Sequence, residues 1–273
     1  MTDGPASASP ASPAERFAGG GLTLEPGRIA TLTLSAPERR NAIRQEMWAA
    51  LPAICARIAA DPAVRVVIVR GAGGHFSAGA DIAEFPDAYR TAEAAGRTNA
   101  AVRAGQAAVA ALPMPVLAEI RGSCVGGGCG LALSCDLRFA AEGARFGITP
   151  ARLGLAYSFA DTRQLVDLVG PARAKDILFS ARLVGAAEAL RIGLVDRVVA
   201  EETLAESVRE YAETLSGLSQ TSLRTAKATI EAIRRGTTAE TPELRAAFEV
   251  SFAGQDFQEG YRAFLEKRQP DFG

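Results

Sequence analysis

Apolar runs with β-branched residues and helix-spaced apolar residues take turns along the first half of the chain. Arg28-Ile-Ala-Thr-Leu-Thr-Leu34 alternates in polarity and predicts a strand. A turn over 35–41 follows. Ile43, Met47, Leu51, Ile54 and Ile58 then recur at helical spacing, and Asp61-Pro62 marks the stop. Val66-Val-Ile-Val69 is continuously apolar, the pattern of a strand covered on both faces. The order then returns. A helical stretch near 98–112 leads through Pro113 and Pro115 to the apolar run Val116-Leu-Ala-Glu-Ile120. Residues 122–135 read as a glycine-rich turn entering a small-residue helix, and 136–140 as the next strand. Strand, helix, strand in this sequence implies right-handed connections and a largely parallel sheet.

Beyond about Asp161 the pattern changes. Short helices are expected over 162–169, 172–179 and 186–192, with an extended piece at 195–199. Longer helical patterns cover about 201–215, 223–235, 242–253 and 257–267. An α/β core over 16–210 is therefore expected to carry a helical region over 211–273 that covers the pocket and builds an oligomer interface. Residues 1–15, rich in Ala, Ser and Pro, read as a flexible tail.

Composition narrows the function classes. Lys+Arg 30 against Asp+Glu 31 leaves a formal net charge of −1, and no basic stripe is concentrated anywhere, so no nucleic-acid partner is expected. His75 is the only histidine, and Cys55, Cys124, Cys129 and Cys135 contain no C-x-x-C pair, so no metal site is expected. No apolar stretch approaches the roughly 18 residues of a membrane span. A soluble cytoplasmic protein is the expectation.

Two glycine clusters each follow a predicted buried strand, where ligands of α/β folds commonly lie. Gly126-Gly127-Gly128 lets backbone approach a ligand, and the helix after it begins with unpaired N–H groups. Ala78-Gly79-Ala80 offers a second small-residue stretch. If the two converge, one N–H from each could hold a thioester oxygen as an oxyanion hole. Tight strand–helix packing explains the glycines equally simply. Neither cluster is a P-loop or a full dinucleotide fingerprint.

Ser35-Ala-Pro-Glu-Arg-Arg-Asn-Ala-Ile43, Phe76-Ser-Ala-Gly-Ala-Asp-Ile82, Gly122-Ser-Cys-Val-Gly-Gly-Gly-Cys129 with Asp136, and Glu259-Gly-Tyr-Arg-Ala-Phe-Leu-Glu-Lys-Arg268 together resemble the crotonase family, the enoyl-CoA hydratase/isomerase superfamily. The resemblance covers roughly 22–272. It implies a crotonase-like (ClpP/crotonase) α/β fold of repeated ββα units with a C-terminal helical region. It implies a trimer or a dimer of trimers, and a coenzyme A thioester as substrate with no tightly bound cofactor. It also implies a lyase or isomerase of fatty-acid metabolism. Carried over, the oxyanion amides fall on Ala80 and Gly127. Asn41, Ala42, Ala78, Asp81, Ile82 and Gly126 fall along the coenzyme A edge. Lys267 corresponds to a lysine that approaches the nucleotide phosphates, often from a neighbouring subunit.

The chain departs from that family where hydratases carry two glutamates. One position is Gly130, and the other is Pro150 in Phe146-Gly-Ile-Thr-Pro150. Hydration needs a base for water and an acid for Cα, which neither residue supplies. Tyr157, Ser158 and Asp161, in the altered loop after Gly154, are candidates for proton transfer or headgroup recognition. Asp161 reads equally as the N-cap of a helix at 162–169. Arg152 and Arg163 read as solvated, His75 as a surface or hinge residue, and Cys129 as packing. The expected function is an acyl-CoA-processing enzyme that stabilises an enolate. The alternatives are an acyl-CoA decarboxylase or hydrolase, or a non-catalytic acyl-CoA-binding protein.

Overall fold

The apolar runs 66–69 and 116–120 lie side by side in the middle of a seven-stranded sheet. The computed structural model describes residues 13–273, so the expected tail lies outside the described residues except for its last three. Glu15 already opens the first strand. In chain order the strands are β1 (Glu15–Phe17), β2 (Leu22–Glu25), β3 (Ile29–Leu34), β4 (Val66–Gly71), β5 (Val116–Ile120), β6 (Ser123–Val125), β7 (Leu137–Ala141), β8 (Arg145–Gly147), β9 (Leu183–Gly185) and β10 (Arg197–Val199). The main sheet runs β1-β2-β3-β4-β5-β7-β10, antiparallel as far as β3 and parallel from β3 onward. A small sheet, β6-β8-β9, stands beside it.

The helices are α1 (Gln45–Ala60), α2 (Phe85–Ala88), α3 (Ala92–Ala110), α4 (Gly127–Leu133), α5 (Phe159–Ser180), α6 (Ala186–Arg191), α7 (Leu204–Ser216), α8 (Gln220–Arg234), α9 (Pro242–Ala253) and α10 (Gln255–Glu266). Strand, strand, helix recurs through the first half and a helical region closes the chain, as a crotonase-like fold requires. The short strands β1, β2, β8 and β9 escaped the pattern reading, because three or four residues are too few to show a period.

Alternation explains why apolar residues point to both faces of the two runs. Val67, Val69, Val116, Ala118 and Ile120 share one core with Met47, Trp48, Leu51 and Ile54 of α1 and Leu131 of α4. Val66, Ile68, Leu117 and Phe139 face the other way, onto Leu204, Val208 and Ala212 of α7. The sheet is thus covered on both sides. α7 passes without a break through residue 210, so the last helix that packs on the sheet straddles the expected core boundary. α5 is interrupted at Gly170, whose φ of 76° is followed by Pro171, where the sequence places the gap between two short helices.

The parallel strands give the molecule two ends. The glycine clusters follow the carboxyl ends of β4 and β6. The C-terminal helices lie at the opposite end. There the Lys227 ammonium of α8 donates to the Met114 carbonyl (3.0 Å) and pairs with Asp136 (2.7 Å), just ahead of β5 and β7. Arg65, ahead of β4, donates to the Phe272 carbonyl at 3.0 Å.

Candidate active site

The edge where an oxyanion hole is expected is built from backbone. Asn41 takes a φ of 55°, a conformation asparagine tolerates better than most residues. Its side chain is fully buried. It accepts from the Ala36 N–H (3.0 Å) and donates to the carbonyls of Ala72 (2.8 Å) and His75 (2.7 Å). The Ser77 hydroxyl donates to the Asn41 carbonyl at 2.8 Å. This clamp sets segment 77–81 against residue 43. The Ile43 N–H bonds the Gly79 carbonyl (2.7 Å) and the Asp81 N–H bonds the Ile43 carbonyl (3.2 Å). In such a parallel bridge the amide of the residue between, Ala80, faces away from Ile43.

The same segment crosses β6 on its other side, through a bridge between Ser77 and Cys124. The crossing is so close that a Cβ on Gly79, whose φ is +100°, would lie 2.8 Å from the Val125 carbonyl oxygen. Gly126, with φ 53° and ψ −121°, then turns the chain into α4 in a conformation open only to glycine. Gly127 begins that helix, so its N–H has no intrahelical acceptor. A Cβ on Gly127 would stand 3.8 Å from the Ala80 nitrogen and 3.2 Å from Cζ2 of Trp48. Among the described residues, neither the Ala80 nor the Gly127 amide finds a protein acceptor. The two glycine stretches do converge, with Trp48 as a wall.

The other expected edge residues divide. Ala78 is exposed, its N–H bonded to the Arg40 carbonyl (2.8 Å), and Ile82 is 61% exposed. Both are open to a ligand. Asp81 accepts from the Ala83 N–H (3.1 Å) and pairs with Arg39 (2.6 Å), so it holds the loop. Asn41 and Ala42, also expected along the coenzyme A edge, are buried, Asn41 wholly so. Asn41 acts on the edge through the clamp. Lys267 caps α10 at the opposite end of the sheet, so within one chain it does not reach the oxyanion edge. His75 accepts from the Ser123 N–H at 3.0 Å and joins the scaffold rather than the surface.

One turn into α4, a side-chain cluster faces Gly130. A Cβ there would meet the Gln106 amide nitrogen at 2.3 Å, an Asp161 carboxyl oxygen at 3.1 Å and the Tyr157 hydroxyl at 3.4 Å. α5 starts at Phe159 and not at residue 162, and its cap is Ser158. The Ser158 hydroxyl accepts from the Asp161 N–H (3.1 Å) and donates to the Asp161 carboxylate (2.6 Å). Asp161 is therefore not the cap, and its carboxyl is left to the cluster. Asp161 is only 6% exposed, and burial raises its pKa above the ordinary carboxylate value, opposed by hydrogen bonds from Ser158 and Gln106. The Tyr157 hydroxyl is buried with no hydrogen-bond partner. Burial pushes that phenol well up, and the neighbouring Cys129, Asp161 and Cys124 add to the effect.

Pro150 opens an exposed 3₁₀ turn, Pro150–Leu153, and brings no carboxylate. Arg152 is exposed on that turn, and Arg163 donates to the Arg234 carbonyl, away from the cluster. A cavity of about 630 Å³ lies elsewhere, between the end of α4, α5 and α8, with Leu133, Ala110 and Ile230 on its walls. It belongs to the Lys227 end of the sheet. Gln106 and Trp48 are the site residues that sequence reasoning missed. The available signal was a glutamine on the buried stripe of α3, between Thr98, Gly105 and Val109.

Residues 25–273 match the family model described as enoyl-CoA hydratase/isomerase. The chain is 36% identical over 247 residues to a crotonyl-CoA hydratase of Syntrophomonas wolfei, covering 90% of this chain and 94% of that one. Its structure is similar to that of an enoyl-CoA hydratase/isomerase family protein from Hyphomonas neptunium, with a TM-score of 0.90, 44% identity, and 93% and 97% of the two chains covered. An enoyl-CoA hydratase from Bacillus anthracis follows at a TM-score of 0.84 and 32% identity, with 92% and 98% covered. Among the described residues no helix is long and apolar enough to cross a membrane, and no group of three His, Cys, Asp or Glu could hold a metal ion.

Proposed function

The chain belongs to the enoyl-CoA hydratase/isomerase family, and on that premise we propose that it processes acyl-CoA thioesters by stabilising an enolate between the Ala80 and Gly127 amides. The observation that carries this reading is the convergence of those two unpaired N–H groups, with a Cβ position on Gly127 only 3.8 Å from the Ala80 nitrogen. Donors fixed by backbone need no reorganisation as charge develops on the thioester oxygen. Gly126 shapes the turn that presents Gly127, while Ala78 and Ile82 line the open edge along which the coenzyme would lie. Lys267 would reach the nucleotide phosphates of a neighbouring subunit. Exposed Ile233, Phe248, Phe252 and Phe264 on the C-terminal helices support assembly as a trimer or a dimer of trimers, which sedimentation equilibrium would report.

Proton transfer falls to Asp161, with the Tyr157 hydroxyl beside it. The carboxylate takes the Cα proton, the C–H electron pair moves into the thioester as an enolate, and the proton returns from the Asp161 carboxyl. This one-carboxyl scheme suits a lyase- or isomerase-like step through an enolate. It disfavours ordinary hydration, in which water activation and Cα protonation are shared between two groups. A second reading, decarboxylation, is favoured by the same single carboxyl, because loss of CO₂ creates the enolate without a base and Asp161 need only protonate it.

The test is Cα hydrogen exchange of butyryl-CoA in D₂O, followed by NMR, beside hydration of crotonyl-CoA, followed by loss of enoyl absorbance. Exchange is expected, with hydration turnover below the ordinary enzyme range of about 1–10³ s⁻¹. Absence of calorimetric binding to every acyl-CoA tried would overturn the reading. Binding without exchange by any of them would leave only the non-catalytic alternative.

A further inference from the structure

We propose that Gln106 is the positioning residue of the site: its carboxamide occupies the space a side chain at residue 130 would fill and from there aims the Asp161 carboxyl toward the oxyanion edge. This rests on the enolate reading above and extends it to a residue outside every recognisable motif.

Gln106 is 5% exposed and sits on a helix stripe that is otherwise small or apolar. A buried amide there costs stability unless it is hydrogen-bonded, so its partner defines its purpose. The group beside it is the Asp161 carboxyl, delivered from α5, whose own first turn is closed by Ser158: the Gln106 nitrogen and an Asp161 oxygen lie 2.3 and 3.1 Å from the same Cβ position on Gly130. The Ser158 hydroxyl bonds the carboxyl and the Gln106 amide faces it from a different element, so the two together fix its direction. Gly130 makes the arrangement possible, because its missing Cβ position lies 2.3 Å from the Gln106 nitrogen. Gly127 and Gly130 stand three residues apart on α4, which places them on one face, separated by roughly 4.5 Å along the axis. The carboxyl is therefore held about one helical turn from the amide that would bind the thioester oxygen, on the side from which the neighbouring carbon could exchange a proton.

The donor also has an electrostatic consequence. An amide N–H stabilises the ionised carboxylate and opposes the burial that favours the neutral acid. The titratable group beside Asp161 is the Tyr157 phenol, which in turn has the Cys124 thiol of β6 and the Cys129 thiol of α4 near it. Asp161 has no salt bridge among the described residues, so burial, opposed by hydrogen bonding rather than by a counter-ion, sets its titration.

Two variants separate positioning from packing. Gln106→Leu keeps the volume and removes the donor. Gly130→Ala leaves Gln106 in place but pushes the end of its flexible side chain aside, while improving the helix propensity of α4. Both are made in the full chain labelled with ¹³C at aspartate carboxyls, with Asp161→Asn used to identify the resonance. In both, the Asp161 midpoint is expected to move up. The acid limb of Cα exchange should move up with it, and the exchange rate should fall about 10–100-fold, with KM nearly unchanged. An Asp161 midpoint that stays at the wild-type value in both folded variants overturns the proposal. The titration reads positioning whether or not exchange occurs. A failed enolate reading, seen as no exchange by the wild type, is thus distinct from a failed role for Gln106.

Discussion

The proposed oxyanion edge and the proposed proton-transfer cluster lie one helical turn apart but are made differently. The edge is backbone held by backbone: the Ile43–Ala80 bridge, the Ser77–Cys124 bridge and the Asn41 clamp. Its glycines are forced by close approach, and its chemistry resides in amides that every residue but proline carries. The cluster is side chains held by side chains from α3, α5 and the loop before α5. One of its polar groups, the Tyr157 hydroxyl, is left unpaired. The first region is fixed by paired backbone, whereas the second buries polar groups at a cost in stability. Changes at the edge should therefore cost stability and activity together, whereas changes in the cluster should trade one for the other.

The sharpest test of that contrast is Asp161→Asn. Loss of the carboxyl should lower Cα exchange by about 10²–10⁴-fold, the usual worth of a general acid–base group. Stability should move the opposite way. The folded carboxyl titrates above its unfolded value because it is buried, so its stabilising contribution is complete below the unfolded pKa of about 3.9 and is lost as pH rises through the folded value. At pH 7 the wild type carries that penalty and the asparagine variant does not. The variant should melt higher by a few degrees, at roughly 2–4 °C per kcal/mol for a chain of this size. The gap should close on acidification below about pH 4. A variant that melts lower than wild type at pH 7 would break the comparison.

Gly79→Ala probes the other region. Its Cβ must avoid the Val125 carbonyl, which is backbone and cannot swing aside, and its φ of +100° is unfavourable for alanine. The crossing should part. Exchange should then fall by about 10²–10³-fold, the scale of losing one oxyanion donor, and chemical denaturation should show a loss of about 2–4 kcal/mol. A stable but inactive Gly79→Ala protein would mean that the edge, too, can be changed without structural cost.

Tyr157→Phe carries the smallest effect. Removing a buried hydroxyl with no partner should raise stability by about 1 kcal/mol and change exchange by less than about 10-fold. Destabilisation by this substitution would show that the hydroxyl is paired in the folded protein, and would move Tyr157 from the cluster to the scaffold.

The two regions were not equally legible. Gly79, Gly126 and Gly127 announce the edge because close backbone approach demands glycine, and the motifs around them are contiguous. Asp161 and Tyr157 were visible as titratable residues in an unusual loop, but their direction was not: the carboxyl of Asp161 served the cap and the cluster equally well on paper. The start of α5 at Phe159 decided it by giving the cap to Ser158. Gln106 carried only a faint signal, one polar residue on an apolar stripe. Asn41 was legible as part of a motif, yet its burial, and so its indirect role, was not.

By itself the sequence determined the order of strands and helices, the two-sided burial of β4 and β5, and the places where the backbone must come close. Each of these is a local property, set by side-chain period and by the conformations glycine and proline allow. It also determined what the chain lacks, since Gly130 and Pro150 cannot move a proton whatever surrounds them. Only the tertiary structure decided what stands in the space at Gly130. Gln106 and Asp161 are separated by 55 positions in the numbering and meet because α3 and α5 both pack against α4. No local rule encodes that meeting, because it follows from the packing of helices whose contacts are remote along the chain.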